Sequence, residues 1–169
     1  MLAAARGLAL IRIAFGLYFL SQVYGKIEQH WFTSADAMTK FIQGNLPQSA
    51  HIYKNFLSGT VIPHAGVFSQ LVFIGELVAG ISLVLGLFTR VGAVVGIILN
   101  LNYMLCKGLT QGGGSVDRLF LVGEVVFFAA AAGLVWGLDG VLRDAAGRVP
   151  ALNWLTGGGK EGPRAMPAM

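Results

Sequence analysis

Four stretches of this sequence stay apolar for long enough to cross a bilayer as helices, and nothing else in the chain constrains its fold so strongly. A hydrocarbon core about 30 Å thick is spanned by ~20 helical residues, and each backbone polar group inside it must be bonded within the segment. The stretches run from about Gly7 to Tyr24, Val67 to Phe88, Val91 to Leu105 and Leu119 to Leu138. Composition points the same way. Hydrophobic residues make up 55% of the chain and charged residues 12%, against about 25% charged in a soluble domain. The expected fold class is therefore an all-α membrane protein, a four-transmembrane-helix bundle. With 169 residues there is no room for a separate soluble catalytic domain.

The links between these stretches are unequal. Thr89 and Arg90 join the second and third so tightly that the two must form an antiparallel hairpin. Between the third and fourth lies Lys107 to Arg118, whose Gly112-Gly113-Gly114-Ser115 run reads as a turn, since no GK[ST] follows to make a phosphate cradle. The first link, residues 26–66, is long for a small bundle. Its apolar residues recur at helical spacing, with Met38, Phe41 and Ile42 and then Ile52, Tyr53, Phe56 and Leu57. One or two short amphipathic helices are expected there, lying on the end of the bundle, with Trp31, Phe32 and Tyr53 as interfacial anchors. The membrane domain is thus residues 1–142, followed by a polar tail over 143–169. Val149 to Leu155 is expected to touch the membrane surface through Trp154, and disorder is expected from Thr156 onward. Arg12 interrupts the first stretch and no small-x-small cleavage site follows, so this stretch reads as a retained helix.

Lys and Arg stand singly at the ends of apolar runs, which fits orientation signals and argues against nucleic acid as a partner despite the net charge of +4. Four crossings put both termini on one side, together with Arg6, Arg12, Arg90, Arg143, Arg148, Lys160 and Arg164. Lys26, Lys40, Lys54, Lys107 and Arg118 fall opposite. The excess of cations favours cytoplasmic termini and an outer loop over 26–66.

An ionisable group in hydrocarbon costs several kcal/mol and needs a reason. Arg12 lies near one end of its helix and is expected to snorkel to the headgroups. Glu76 lies ~13 Å along the second helix, and Glu124 lies five residues into the fourth. Tyr18 and Gln22 of the first helix, and Asn100, Asn102 and Tyr103 of the third, fall at comparable depth. In a bundle such groups turn inward and satisfy one another, which implies a polar pocket open toward the outer loop. Two readings stay open: these residues only join helices, or they form a site in which Glu76 holds or passes a proton. Gly92 and Gly96, with Gly75, Gly80 and Gly86, read as small residues that allow close packing within the hairpin.

Several chemistries find no support. The single cysteine, Cys106, excludes CxxC pairs and cysteine-ligated iron–sulfur clusters within the chain. His30, His51 and His64 all fall in the loop, which argues against a transmembrane bis-histidine haem, and their spacing matches no zinc pattern. There is no flavin motif and no nucleophile elbow. No haem, flavin, cluster or metal is expected.

Several motifs resemble those of the DoxX/DoxD family of small four-helix membrane proteins, most closely the DoxD type. They begin with Arg12-Ile-Ala-Phe-Gly-Leu-Tyr-Phe and Gly25-Lys26. Trp31-Phe32 and Pro63-His64-Ala65 follow, then Gly75-Glu76-Leu77, Gly80, Leu83 and Leu85 through Arg90. Asn102-Tyr103, Lys107-Gly108 and Gly137-Leu138-Asp139 complete the likeness, which covers about residues 7–142. The resemblance implies a bacterial or archaeal inner-membrane protein, paired with a second redox subunit or with itself. It implies a role in passing electrons from thiosulfate to a membrane quinone, which would be bound as substrate. Glu76, Arg90 and Lys26 are the motif positions first in line for function. Lys26, Lys54 and the loop histidines are expected to attract an anion such as thiosulfate.

Three classes of function follow from these readings. The first is a quinone-linked redox subunit with Glu76 as proton donor and Tyr18, Gln22, Lys26, Arg90, Asn100, Asn102, Tyr103 and Glu124 as ligand-binding residues. The second is a non-catalytic scaffold or assembly factor of a redox complex. The third is a small-molecule transporter, which the apolar runs Val78 to Leu87 and Val91 to Leu99 oppose.

Overall fold

The computed structural model describes residues 2–109, 112–146 and 155–156. Seven α-helices succeed one another along these residues: α1 (Leu2–Glu28), α2 (Asp36–Asn45), α3 (His51–Phe56), α4 (Ala65–Leu85), α5 (Thr89–Lys107), α6 (Ser115–Ala129) and α7 (Leu138–Ala146). No strand occurs among the described residues. The expected surface segment Val149 to Leu155 with Trp154, and the expected disorder after it, lie almost wholly outside them.

Three helices, α1, α4 and α5, are long and apolar enough to cross a membrane by length and composition. Large apolar side chains such as Leu10, Leu17, Leu71, Ile98 and Val122 point away from the bundle, the pattern expected where lipid is the solvent. The third helix is longer than its apolar run suggested, because Thr89 begins it and Lys107 ends it. The expected fourth span instead stops at Ala129, about 22 Å from its start. A 3-10 turn, Ala132–Leu134, follows, and Ala131 and Trp136 take positive φ of 47° and 50°.

The break has a partner in α1. Arg12, fully buried, donates from Nη1 to Ala132 O (2.7 Å) and Val135 O (3.4 Å) and from Nη2 to Trp136 O (2.8 Å). Carbonyls freed by ending α6 are satisfied by one guanidinium fork. Arg12 therefore does not snorkel; its guanidinium turns inward onto a cluster of backbone carbonyls.

The hairpin between α4 and α5 turns through Gly86 to Phe88, just before the Thr89-Arg90 pair expected to form it. Gly86 caps α4 at φ 62°, with its N–H returned to Ser82 O. A Cβ there would meet Arg12 and Gly137. Phe88 sits at φ 48°, a conformation costing a bulky residue roughly 1–2 kcal/mol. Asp139 at the start of α7, itself buried, accepts from Phe88 N (2.7 Å) and Thr89 N (2.9 Å). This carboxylate caps α5 and offsets the strain.

Within the bundle α1 packs on α4, α4 on α5 and α5 on α6, while α1 and α6 touch little. Their seam is filled by aromatic rings, with Phe120 stacked on Phe15 (4.1 Å) and tilted against Tyr18 (4.5 Å). Gly80 lets α4 approach Gly16 and Leu20 of α1, and Gly92 approaches Ser82 within the hairpin. Gly96 departs from the hairpin reading, since it faces Glu124 of α6. The segment between α1 and α4 folds over one end of the bundle, here the loop end. Trp31, expected as an interfacial anchor, is buried with Met38, Ile42, Leu57 and Cys106 in a second apolar core. Its carbonyl accepts from Ser69 of α4, which holds the loop down.

Candidate functional site

Helical spacing decides which polar side chains meet. On α1, Tyr18, Gln22 and Lys26 recur every fourth residue and share one face. On α5, Asn100, Tyr103 and Lys107 share another, while Asn102 points elsewhere. These faces, with Glu76 of α4 and Asp117 in the first turn of α6, enclose a polar cavity of about 280 Å³ at the loop end.

At its centre Lys26 Nζ lies 2.8 Å from each oxygen of Glu76. The Tyr103 hydroxyl donates to Glu76 Oε1 at 2.6 Å. The Lys26 ammonium also lies 5.0 Å from the Trp31 ring centroid and 5.8 Å from that of Tyr103, so aromatic faces complete its shell. Lys107 pairs with Asp117 at 3.0 Å and lies 5.1 Å from the Tyr103 centroid. Two cations and two carboxylates leave the lining balanced in charge.

A second space of about 370 Å³ lies between α4, α5 and the loop helices. It is apolar, walled by Leu71, Gly75, Ile98 and Leu99 of the bundle and by Met38, Phe56 and Leu57 of the loop. Leu71 and Ile98 are exposed on the outer face of the bundle, so this groove opens on its apolar flank. Phe41 and Tyr103 line both spaces, their rings edge to face with centroids 6.2 Å apart. Asn102 belongs to the groove and accepts a hydrogen bond from the Tyr53 hydroxyl of α3. Burial, with Cys106 adding to it, pushes the Tyr53 phenol up to about 12.

Glu124 is fully buried on α6, below the cavity. It accepts from Asn100 Nδ2 at 2.9 Å, and Asn100 in turn lines the cavity.

Of the residues singled out in the sequence, Glu76, Lys26, Tyr103, Tyr18, Gln22 and Asn100 come together at the cavity. Asn102 faces the groove and Glu124 the bundle interior. Arg90 is not brought to either space. It stands at the hairpin end of α5, 5.7 Å from the Phe128 centroid and about 25 Å along the helix from Lys107. Lys54, expected to attract an anion, donates to Pro47 O at 2.7 Å, and His64 Nδ1 lies 2.9 Å from Thr60 O; neither lines the cavity. Lys107 and Asp117 were missed. Their signal was opposite charge at the facing ends of two helices joined by a short glycine turn, with Lys107 also in register with Asn100.

A family model described as "TQO small subunit DoxD" matches residues 8–157. The chain belongs to the DoxD family. The match takes in α1 from residue 8 onward, all of α2 to α7, and every residue of the cavity. No solved structure matches the chain. This DoxD protein is all-helical among its described residues, and its long apolar helices make it a multi-pass membrane protein. The motif positions Lys26, Glu76 and Tyr103, far apart in its sequence, form one hydrogen-bonded cluster.

Proposed function

We propose that this chain is the membrane subunit of a thiosulfate:quinone oxidoreductase, and that it holds the quinone. The observation that carries the reading is Tyr103, whose ring walls an apolar groove open on its flank while its hydroxyl rests on Glu76. A hydrocarbon-tailed quinone entering sideways would seat its ring against Tyr103 and leave its tail among Leu71, Ile98 and the lipid. Two thiosulfates joined through a new S–S bond release two electrons as tetrathionate, and the quinone takes up those electrons with two protons. The phenol of Tyr103 hands a proton to the quinone oxygen. Glu76, a carboxylate held by the Lys26 ammonium, takes up a proton from the polar cavity and passes it to the phenolate, and the second proton follows the same route. A partner subunit carries the sulfur chemistry.

In this reading the chain crosses a bacterial or archaeal inner membrane four times. The segment after α6, tied to Arg12, completes the last crossing. The termini and the Arg-rich hairpin end face the cytoplasm, and the loop end faces outward.

A non-catalytic scaffold is the second reading. It is favoured by the charge balance of the cavity, where both lysines already have carboxylate partners and none is left over for a dianion. Thiosulfate-dependent reduction of a soluble quinone is the test, in membranes carrying the partner subunit with and without this chain. Activity that requires the chain and is lost in a Glu76→Gln variant that is folded and inserted supports the redox reading. Equal activity without the chain, or with Glu76→Gln, ends it.

A further inference from the structure

Glu124 plays no part in the cluster just described, yet its surroundings are unusual. The side chain is fully buried. Oε1 accepts from Asn100 Nδ2, and Oε2 has no partner. The ion pairs Lys26 with Glu76 and Lys107 with Asp117 lie elsewhere, so among the described residues no cation is paired with this carboxyl. The charged groups on the packed helices are held elsewhere. Arg12 of α1 is bound by three carbonyls, Lys26 of α1 and Glu76 of α4 bind each other, and Arg90 of α5 stands over Phe128. The space itself is built for the carboxyl, because a Cβ on Gly96 would collide with it. Asn100 bridges the site, donating to Gly96 O (3.1 Å) as well as to Glu124 while lining the polar cavity.

We propose that Glu124 is a membrane-buried proton site, occupied as the neutral acid, that exchanges its proton with the polar cavity past Asn100. An ionised carboxylate here would have one amide donor for two oxygens in a dry site. The neutral acid needs no counter-ion, its carbonyl oxygen accepts from Asn100, and its O–H is the group that exchanges. The ligand is a proton, and the site stands independently of which substrate the cavity or groove receives.

The test uses the purified full chain in lipid at neutral pH. A hydrophobic carbodiimide adds to protonated carboxylic acids and rearranges to a stable N-acylurea, which peptide mass spectrometry locates. An adduct on Glu124 that fades as pH is raised, with none on ion-paired Glu76, is expected. In infrared spectra the protonated-carboxyl C=O band is expected to vanish in Glu124→Gln, to persist in Glu76→Gln and to shift in D2O. Asn100→Leu is expected to slow that shift several-fold. An unlabelled Glu124, a band that survives Glu124→Gln, or a band that never shifts in D2O overturns the proposal. A shift unchanged by Asn100→Leu overturns the route. Should Glu124→Gln fail to fold, adduct mapping on the native chain decides alone.

Discussion

Lys26 straddles the carboxylate of Glu76, its ammonium 2.8 Å from each oxygen. The pair pins α1 to α4 at one depth, and removing half of it leaves a buried charge uncompensated. Lys26→Met is expected to cost about 3–5 kcal/mol, read as a lowered midpoint of thermal unfolding in detergent micelles. The double variant Lys26→Met/Glu76→Met is expected to regain most of that loss, since apolar replacement of a buried pair is often near neutral. A double variant as unstable as the single one would refute the pair's role.

Tyr103 separates shape from chemistry. Phenylalanine keeps the ring that walls the groove and removes the hydroxyl that meets Glu76. Tyr103→Phe is expected to leave unfolding and quinone binding close to native and to lower quinone reduction by about 10²-fold, the low end of acid–base contributions. Steady-state turnover beside a binding titration checks this. A drop in binding with unchanged turnover would assign Tyr103 to packing alone.

Arg12 and Asp139 lock the hairpin end. Arg12→Met leaves the buried Ala132 carbonyl without its donor, at about 1–3 kcal/mol, and removes the donor from the part-buried Val135 and Trp136 carbonyls. A snorkelling arginine would cost almost nothing. Asp139→Asn keeps one oxygen for the Phe88 and Thr89 N–H groups and is expected to destabilise less than Asp139→Ala. Chemical unfolding of the three variants in mixed micelles orders them, and a neutral Arg12→Met would contradict the buried fork.

Gly96 and Glu124 share one space. Gly96→Ala is expected to cost about 1–3 kcal/mol by overpacking, and most of that loss should disappear in Gly96→Ala/Glu124→Ala. A double-mutant cycle on thermal unfolding measures the coupling. Additive losses would show that the alanine methyl meets something other than the carboxyl.

Much of the site was legible because helical periodicity is local. Tyr18, Gln22 and Lys26 fall on one face whatever they meet, and a carboxylate as deep as Glu76 demands a partner. Lys26 was read as a motif residue without being recognised as that partner, since fifty residues separate the two. Arg90 shows the reverse limit. It lies in the Leu85-to-Arg90 motif of the resemblance, beside a cap built by Asp139, and its neighbourhood belongs to the hairpin end rather than to the cavity.

The sequence alone determined that this chain is helical and lives in lipid, because bilayer thickness and backbone hydrogen bonding leave an apolar run few alternatives. It also determined which residues would be too costly to leave facing hydrocarbon. Only the tertiary structure decided how those costs are met. Arg12 turned inward to carbonyls that ending α6 had exposed, Gly96 gave its space to Glu124, and Tyr103 came to stand between groove and cavity. Each outcome depends on which helices become neighbours, and that is set by side-chain packing between segments distant in the chain, which no local pattern encodes.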